Sequence, residues 1–263
     1  MNVAGRAVLL TGATGGLGHA IARRLHRAGA QLIVTGRRTD VLEALARETG
    51  ARAIAVDLAD ADAVERLAND FADVDVLVAN AGIPGSGHVM SFTVEQIDRA
   101  LAVNLRAPMV LSRVIGERMV ARRSGHIVLM SSLSGKAGTP RSGIYSATKF
   151  GLRGFAQGLR QDLRPHGVGV SAVFPGFVRD AGMFAESGAT LPPGVGTSTP
   201  EQVADAVLRA IERNRGEVDV APLAMRLGAV FAGVVPEIAA TFTRLTGGER
   251  VGDQFGSGQA SKR

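Results

Sequence analysis

The sequence predicts a single α/β domain on a Rossmann-type, doubly wound parallel sheet of about seven strands with helices on both faces. Three observations carry that expectation. Apolar runs of four to seven residues alternate with longer amphipathic stretches along most of the 263 residues. A glycine-rich segment follows the first apolar run directly, where such a sheet takes up phosphate groups. The composition, 46% hydrophobic and 21% charged, suits one globular core at a length that open sheets reach as one unit.

The strands fall at AVLL from Ala7, QLIVT from Gln31, RAIAV from Arg52, DVLVA from Asp75, HIVLM from His126, VGVSAVF from Val168 and EVDV from Glu217. A helix from Gly16 to Ala28 stops at Gly29, and another from Thr39 stops at Gly50. Thr93 with Gln96 has capping-box spacing; Thr199 with Gln202 repeats it, with Pro200 at the first helical position. Residues 1–221 form the dinucleotide-binding and catalytic domain. Residues 222–246 form an apolar helical appendage broken at Pro236, and the polar stretch 247–263 is expected to be disordered. The longest unbroken apolar run of the appendage, Leu227 to Val235, is far short of the roughly 20 residues a bilayer span needs.

Composition also excludes functions. The net charge of +6 comes from arginines scattered among acids, without a basic block, which argues against nucleic-acid binding. There is no cysteine, hence neither a disulfide framework nor a thiolate metal site, and no metal is expected. The first residues carry an apolar patch that glycines break too soon for a signal peptide, so a cytoplasmic protein is expected.

The segment TGATGGLG, Thr11 to Gly18, links the first strand to a helix. Glycines 12, 16 and 18 let the backbone turn sharply and approach a pyrophosphate, while the helix N-terminus attracts its charge. Thr14, Gly15 and Leu17 complete this candidate cofactor turn. The second strand ends in TGRR, so Gly36 stands where an acid would accept ribose hydroxyls, and Arg37 and Arg38 follow. A guanidinium fork suits phosphate oxygens, which favours NADP(H) and leaves NAD(H) open.

The chemistry points to YSATK, with Tyr145 and Lys149 four residues apart on one helix face. The chain has one tyrosine, and three lysines against 27 arginines, so a lysine at this spacing is a rare coincidence. A free phenol titrates near ~10, and a neighbouring ammonium and an oxidised nicotinamide cation are each expected to favour its ionised form. Thirteen residues earlier, just after a strand, Ser132 offers a hydroxyl to a reacting oxygen.

With these pieces in order, the chain resembles the short-chain dehydrogenase/reductase superfamily in its shorter, non-extended branch. The resemblance covers about residues 5–221 through TGATGGLG at Thr11, DL at Asp57, NAG at Asn80, VNL around Asn104, SS at Ser131, YSATK at Tyr145 and PG at Pro175. It implies that Ser132 orients the substrate oxygen. Tyr145 is then the general acid in reduction and the base in oxidation, and Lys149 holds the nicotinamide ribose and tunes the tyrosine. By the same resemblance Asn104 supports a water-linked proton path, and Asp57 with Leu58 lies at the adenine. Asn80, Ala81 and Gly82 line the cofactor cleft, and Pro175, Gly176 and Val178 flank the nicotinamide. Where relatives often carry a threonine four residues past the PG glycine, this chain has Asp180, which puts the carboxamide clamp in doubt.

The resemblance thus implies an NADP(H)-dependent oxidoreductase of carbonyls or secondary alcohols, working as a homodimer or homotetramer through helices near Ala107–Arg122 and Tyr145–Arg164. Met183, Phe184 and Leu191, in a Gly/Pro-rich stretch between Phe177 and Thr199, suggest a hydrophobic substrate. Two alternatives stay open: a non-catalytic NADP(H)-binding sensor or scaffold, and shallow membrane contact through the C-terminal segment.

Overall fold

In the computed structural model, which describes residues 1–192, 194–245 and 247–262, the apolar runs form β1 (Ala7–Leu10), β2 (Gln31–Gly36), β3 (Arg52–Ala55), β4 (Val76–Ala79), β5 (Gly125–Met130), β6 (Val168–Pro175) and β7 (Glu217–Val220). They pair in the order β3-β2-β1-β4-β5-β6-β7, each parallel to its neighbour. Strand order therefore reverses between β1 and β4. The chain leaves these two strands toward opposite sides, opening a crevice at their carboxyl ends.

Helices cover both faces, which is why the central strands are apolar at nearly every position. Val8, Leu10, Val34, Val76 and Val78 face α1 (Gly16–Arg27), α2 (Thr39–Thr49) and α8 (Pro200–Arg213), against Ile21, Leu25, Leu42 and Val207. Leu9, Leu77, Ile127 and Leu129 face the other way, against Leu111, Ile115 and Met119 of α5 (Ala107–Ala121) and Leu152 of α6 (Gly143–Leu163). Each such side chain, fully buried, contributes about 1.5–3 kcal/mol. Between β3 and α5 lie α3 (Ala61–Asp70), which packs against α5, and α4 (Val94–Leu101), which packs against α6.

Both capping boxes form: the Thr93 side chain accepts from the Gln96 amide ahead of α4, and Thr199 from Gln202 ahead of α8. Between α4 and α5 the helix widens into a π turn, Ala102–Arg106, centred on the buried Asn104. Such turns displace one residue from the regular ladder and recur at functional sites.

The C-terminal part departs from expectation. The appendage forms α9 (Leu223–Val234) and α10 (Pro236–Leu245), but the tail expected to be disordered continues as α11 (Gly248–Gly258). Gly248, Gly252 and Gly256 recur every four residues and so share one face. A Cβ at Gly252 would stand 2.7 Å from the Pro140 carbonyl oxygen, and one at Gly256 would stand 2.9 Å from the Gly87 Cα. The residues that read as helix breakers are the ones that let this helix lie directly on the body of the protein. Among the described residues no helix is long and apolar enough to cross a membrane.

Candidate active site

The turn after β1 is fixed by main-chain contacts. Gly12 has φ +67°, a conformation open to glycine, and a Cβ there would come within 2.6 Å of the Ala81 Cα. Asn80 clasps the turn, its Nδ2 donating to the carbonyls of Thr11 (3.0 Å) and Gly12 (3.2 Å). Thr11 Oγ1 accepts in return from the amides of Asn80 and Ala81, each at 3.1 Å. The strand β4 and the glycine turn thus form one rigid rim. No side chain caps α1 and no acid stands in its first turn, so Gly15, Gly16, Leu17 and Gly18 present an electropositive helix end to the cavity.

At the end of β2 a Cβ on Gly36 would lie 2.5 Å from Thr14 Cγ2, so an acid at this position would have to displace the Thr14 side chain. Arg38 donates to the Thr14 carbonyl. Arg37 is exposed, lines the cavity, and has no hydrogen bond or ion pair among the described residues. Asp57 accepts from the Ala59 amide at 3.0 Å and from Arg99 at 2.9 Å. Burial alone would push its carboxyl up; these two contacts and the charge of Arg37 hold it below the usual range. Leu58 lines the same wall.

Across the cavity, Ser132 begins a short 3-10 turn, Leu133–Gly135, where its Oγ accepts from the Ser134 amide at 3.1 Å and donates to the Pro175 carbonyl at 3.4 Å. Lys136 anchors this turn, reaching Asp219 at 2.6 Å and Glu217 at 2.8 Å on β7. Burial pushes the Glu217 carboxyl up, but hydrogen bonds from Arg153 and Lys136 bring it down to about 2. Tyr145 stands in the first turn of α6 with its amide donating to Gly85 O at 3.2 Å. Lys149 lies one turn on, its Nζ donating to Met130 O at 2.9 Å and sitting 5.5 Å from the Tyr145 ring centroid. Ser131 Oγ, donating to Lys149 O at 3.0 Å, pins the helix there.

In the ligand-free chain burial dominates the electrostatics of the pair. Burial pushes the Tyr145 phenol up to about 12, opposed by its hydrogen bond with Ser132. Burial also pushes the Lys149 ammonium down to about 8. Desolvation disfavours charge on both.

The cavity brings together Ser132, Tyr145 and Lys149 with all the nucleotide-side residues expected from sequence, including Asn80, Ala81, Gly82, Pro175, Gly176 and Val178. Asn104 lies behind its wall. Its Oδ1 accepts from the Ile83 amide at 2.8 Å and its Nδ2 donates to Ile83 O at 3.0 Å, so it braces the backbone next to Gly82. Asp180 adopts φ +68° and is exposed, paired with Arg179 at 3.4 Å. At about 2150 Å³ the cavity exceeds the roughly 300–1,000 Å³ of a single small-ligand site. Its far end is lined by Phe177, by Met183 and Phe184 of α7 (Gly182–Ser187), by Leu191, and by Phe255 and Gln259 at the end of α11. Sequence reading missed Arg99, Phe255 and Gln259. The first was readable as a basic residue on an amphipathic helix but not as the partner of Asp57; the others lay in the stretch set aside as disordered.

The glycine turn, the side-chain-free Gly36, the two arginines and an apolar compartment beside a Ser–Tyr–Lys group fit a nicotinamide dinucleotide with a second molecule next to it. Residues 6–192 match the family model for short chain dehydrogenases. The chain is 36% identical over 225 residues to a ketoacyl reductase, HetN, of Nostoc sp., covering 82% of this chain and 78% of the other. In structure it resembles a short-chain dehydrogenase from Sphingobium yanoikuyae in complex with NADPH, with a TM-score of 0.76, 29% identity, and coverage of 89% and 95% of the two chains. A metagenomic short-chain oxidoreductase in complex with NADP matches with a TM-score of 0.70, 31% identity, and coverage of 84% and 97%.

Proposed function

The chain belongs to the short-chain dehydrogenase family, and from that premise we propose that it is an NADPH-dependent reductase of apolar ketones in which Tyr145 delivers the proton. It is an oxidoreductase of CH–OH and C=O groups that uses a nicotinamide cofactor. The direction, the phosphate preference, the substrate class and the residue roles are our reading.

When bound, the nicotinamide supplies or accepts the hydride. The chain supplies the rest. Ser132 Oγ donates a hydrogen bond to the carbonyl oxygen and so fixes its position against the Tyr145 hydroxyl. Tyr145, protonated at neutral pH as any phenol is, gives its proton to the oxygen as negative charge develops there. The likeness to a ketoacyl reductase favours the reductive direction. Lys149 holds the ribose and, through its charge, eases the transient phenolate. Asn104 keeps the wall at Ile83 in place. The phosphate falls to the open fork of Arg37, with Arg38 supporting the turn at Thr14.

The observation that carries this reading is the convergence of Ser132, Tyr145 and Lys149 on the cavity that also holds the glycine turn. Tyr145→Phe is expected to lower turnover by on the order of 10² or more while NADPH affinity stays within about twofold. Turnover equal to that of the wild type removes Tyr145 from the chemistry.

We read the exposed Leu101 and Phe150, on the adjoining helices α4 and α6, as part of the surface through which copies of a cytoplasmic protein associate as a dimer or tetramer. The exposed Leu223, Leu227 and Val234 on α9 form a second apolar face, for a subunit or, as the lesser reading, for a membrane surface. Sedimentation of the intact chain, alone and with lipid vesicles, separates these readings.

A further inference from the structure

The far end of the cavity is closed by α11, which is tied to both rims. On one side Asp253 pairs with Arg141 at 2.6 Å, and Gly252 and Gly256 lie against Pro140 and Gly87. On the other, Gln254 Oε1 accepts from the Thr190 amide at 3.1 Å, and Phe255 stacks with Phe184 at 6.5 Å between ring centroids. Phe184 in turn packs on Phe177 at 4.9 Å. The helix is a roof over an aromatic compartment.

Gln259 ends this roof and is the polar exception within it. Its side chain is 0% exposed and lines the cavity that holds Tyr145. Its Nε2 donates to the Met183 carbonyl at 2.7 Å. A carbonyl only accepts, so this contact fixes which amide atom is nitrogen and leaves Oε1 as the other. That oxygen has no donor among the described residues. A buried amide oxygen without a donor loses its hydration and gains nothing in exchange, an arrangement that persists where a ligand completes it.

We infer that Gln259 is a specificity-determining residue, its Oε1 accepting a hydrogen bond from a hydroxyl that the ketone substrate carries away from its reacting carbonyl. The inference rests on the reductase reading above and adds to it the chemistry of the substrate's second polar group. The preferred substrate is then an apolar hydroxy-ketone. Its carbonyl lies at Ser132 and Tyr145, its apolar middle among Phe177, Phe184 and Phe255, and its hydroxyl under the roof.

The test uses the full chain, NADPH, and a series of unbranched methyl ketones of graded length, each paired with its terminally hydroxylated counterpart. The wild type is expected to favour the hydroxylated member, in kcat/KM, at one chain length. Gln259→Met and Gln259→Leu, two shapes without the amide, are expected to lower that preference by about ten- to a hundredfold. Arg141→Ala loosens the roof without touching the amide; it is expected to slow both members alike and keep the preference. A preference unchanged in the Gln259 variants overturns the inference, as does a wild type that favours the hydroxylated ketone at no length. A wild type that binds NADPH but oxidises it with no member of the series overturns the reductase reading itself, a result distinct from an unchanged preference.

Discussion

At the nucleotide end of the cavity, Gly12 meets Ala81, and Asn80 clasps the carbonyls of Thr11 and Gly12. At the substrate end, Gly252 and Gly256 meet Pro140 and Gly87, and Asp253 pairs with Arg141 across 112 positions of chain. Both rims use glycine for close approach. They differ in what dictates the spacing. The nucleotide rim is shaped by a turn that must fit between one strand and the next helix, so its glycines fall in a short pattern beside a recognisable strand. The roof is shaped by whatever lies opposite it in space, and nothing in the local pattern says what that is. The proposed cofactor contacts therefore sit on the legible rim, and the proposed discrimination between substrates sits on the other.

Substituting the same residue type on the two rims breaks the comparison most sharply. Gly12→Val places a branched side chain at positive φ against Ala81. It is expected to abolish measurable NADPH binding by calorimetry, a loss of about a hundredfold or more. Equal affinity in the variant would mean that the turn does not carry the phosphates.

A smaller effect is expected at Arg37. Removing an exposed guanidinium in Arg37→Ala should weaken NADPH by about tenfold and leave NADH unchanged. Equal weakening of both cofactors would assign Arg37 to general binding and leave the phosphate preference without its donor.

The mirror substitution on the roof is milder still. Gly252→Val drives a side chain into the Pro140 carbonyl and should lift α11, raising the ketone KM by about three- to tenfold with NADPH affinity unchanged. A fall in cofactor affinity as large as in ketone affinity would show that the two rims are not independent.

Much of this fold was readable because β1, β4, β5 and β6 are buried on both faces and so run almost wholly apolar, with His126 and Ser171 hydrogen-bonded to each other across β5 and β6, while the helices between them keep a 3.6 period. Thr93 and Thr199 announced their helices because a capping box is local chemistry. Tyr145 and Lys149 were readable as a pair, since a spacing of four places them on one face wherever the helix goes. Their protonation was not, because desolvation depends on Met130, Ser132 and the surrounding walls, which sequence distance does not reveal. Asn104 was visible as an interruption in an apolar helix; that it opens a π turn and binds both polar atoms of Ile83 required the fold. Gly252 and Gly256 misled, because a glycine repeat in a polar stretch reads as disorder until a surface for it to lie on is known.

Tyr145 is the sole tyrosine and the chain has no tryptophan, so its ionisation is observable directly as tyrosinate absorbance in the intact protein. The decisive measurement is that titration in the ligand-free, folded enzyme, with the denatured chain as the unburied reference. With the phenol pushed up to about 12, about a tenth of Tyr145 should be ionised at pH ~11, where an ordinary phenol is about nine-tenths ionised. A folded-state curve that overlays the denatured one near pH ~10 would contradict the account, because the walls of the cavity would then not raise this phenol.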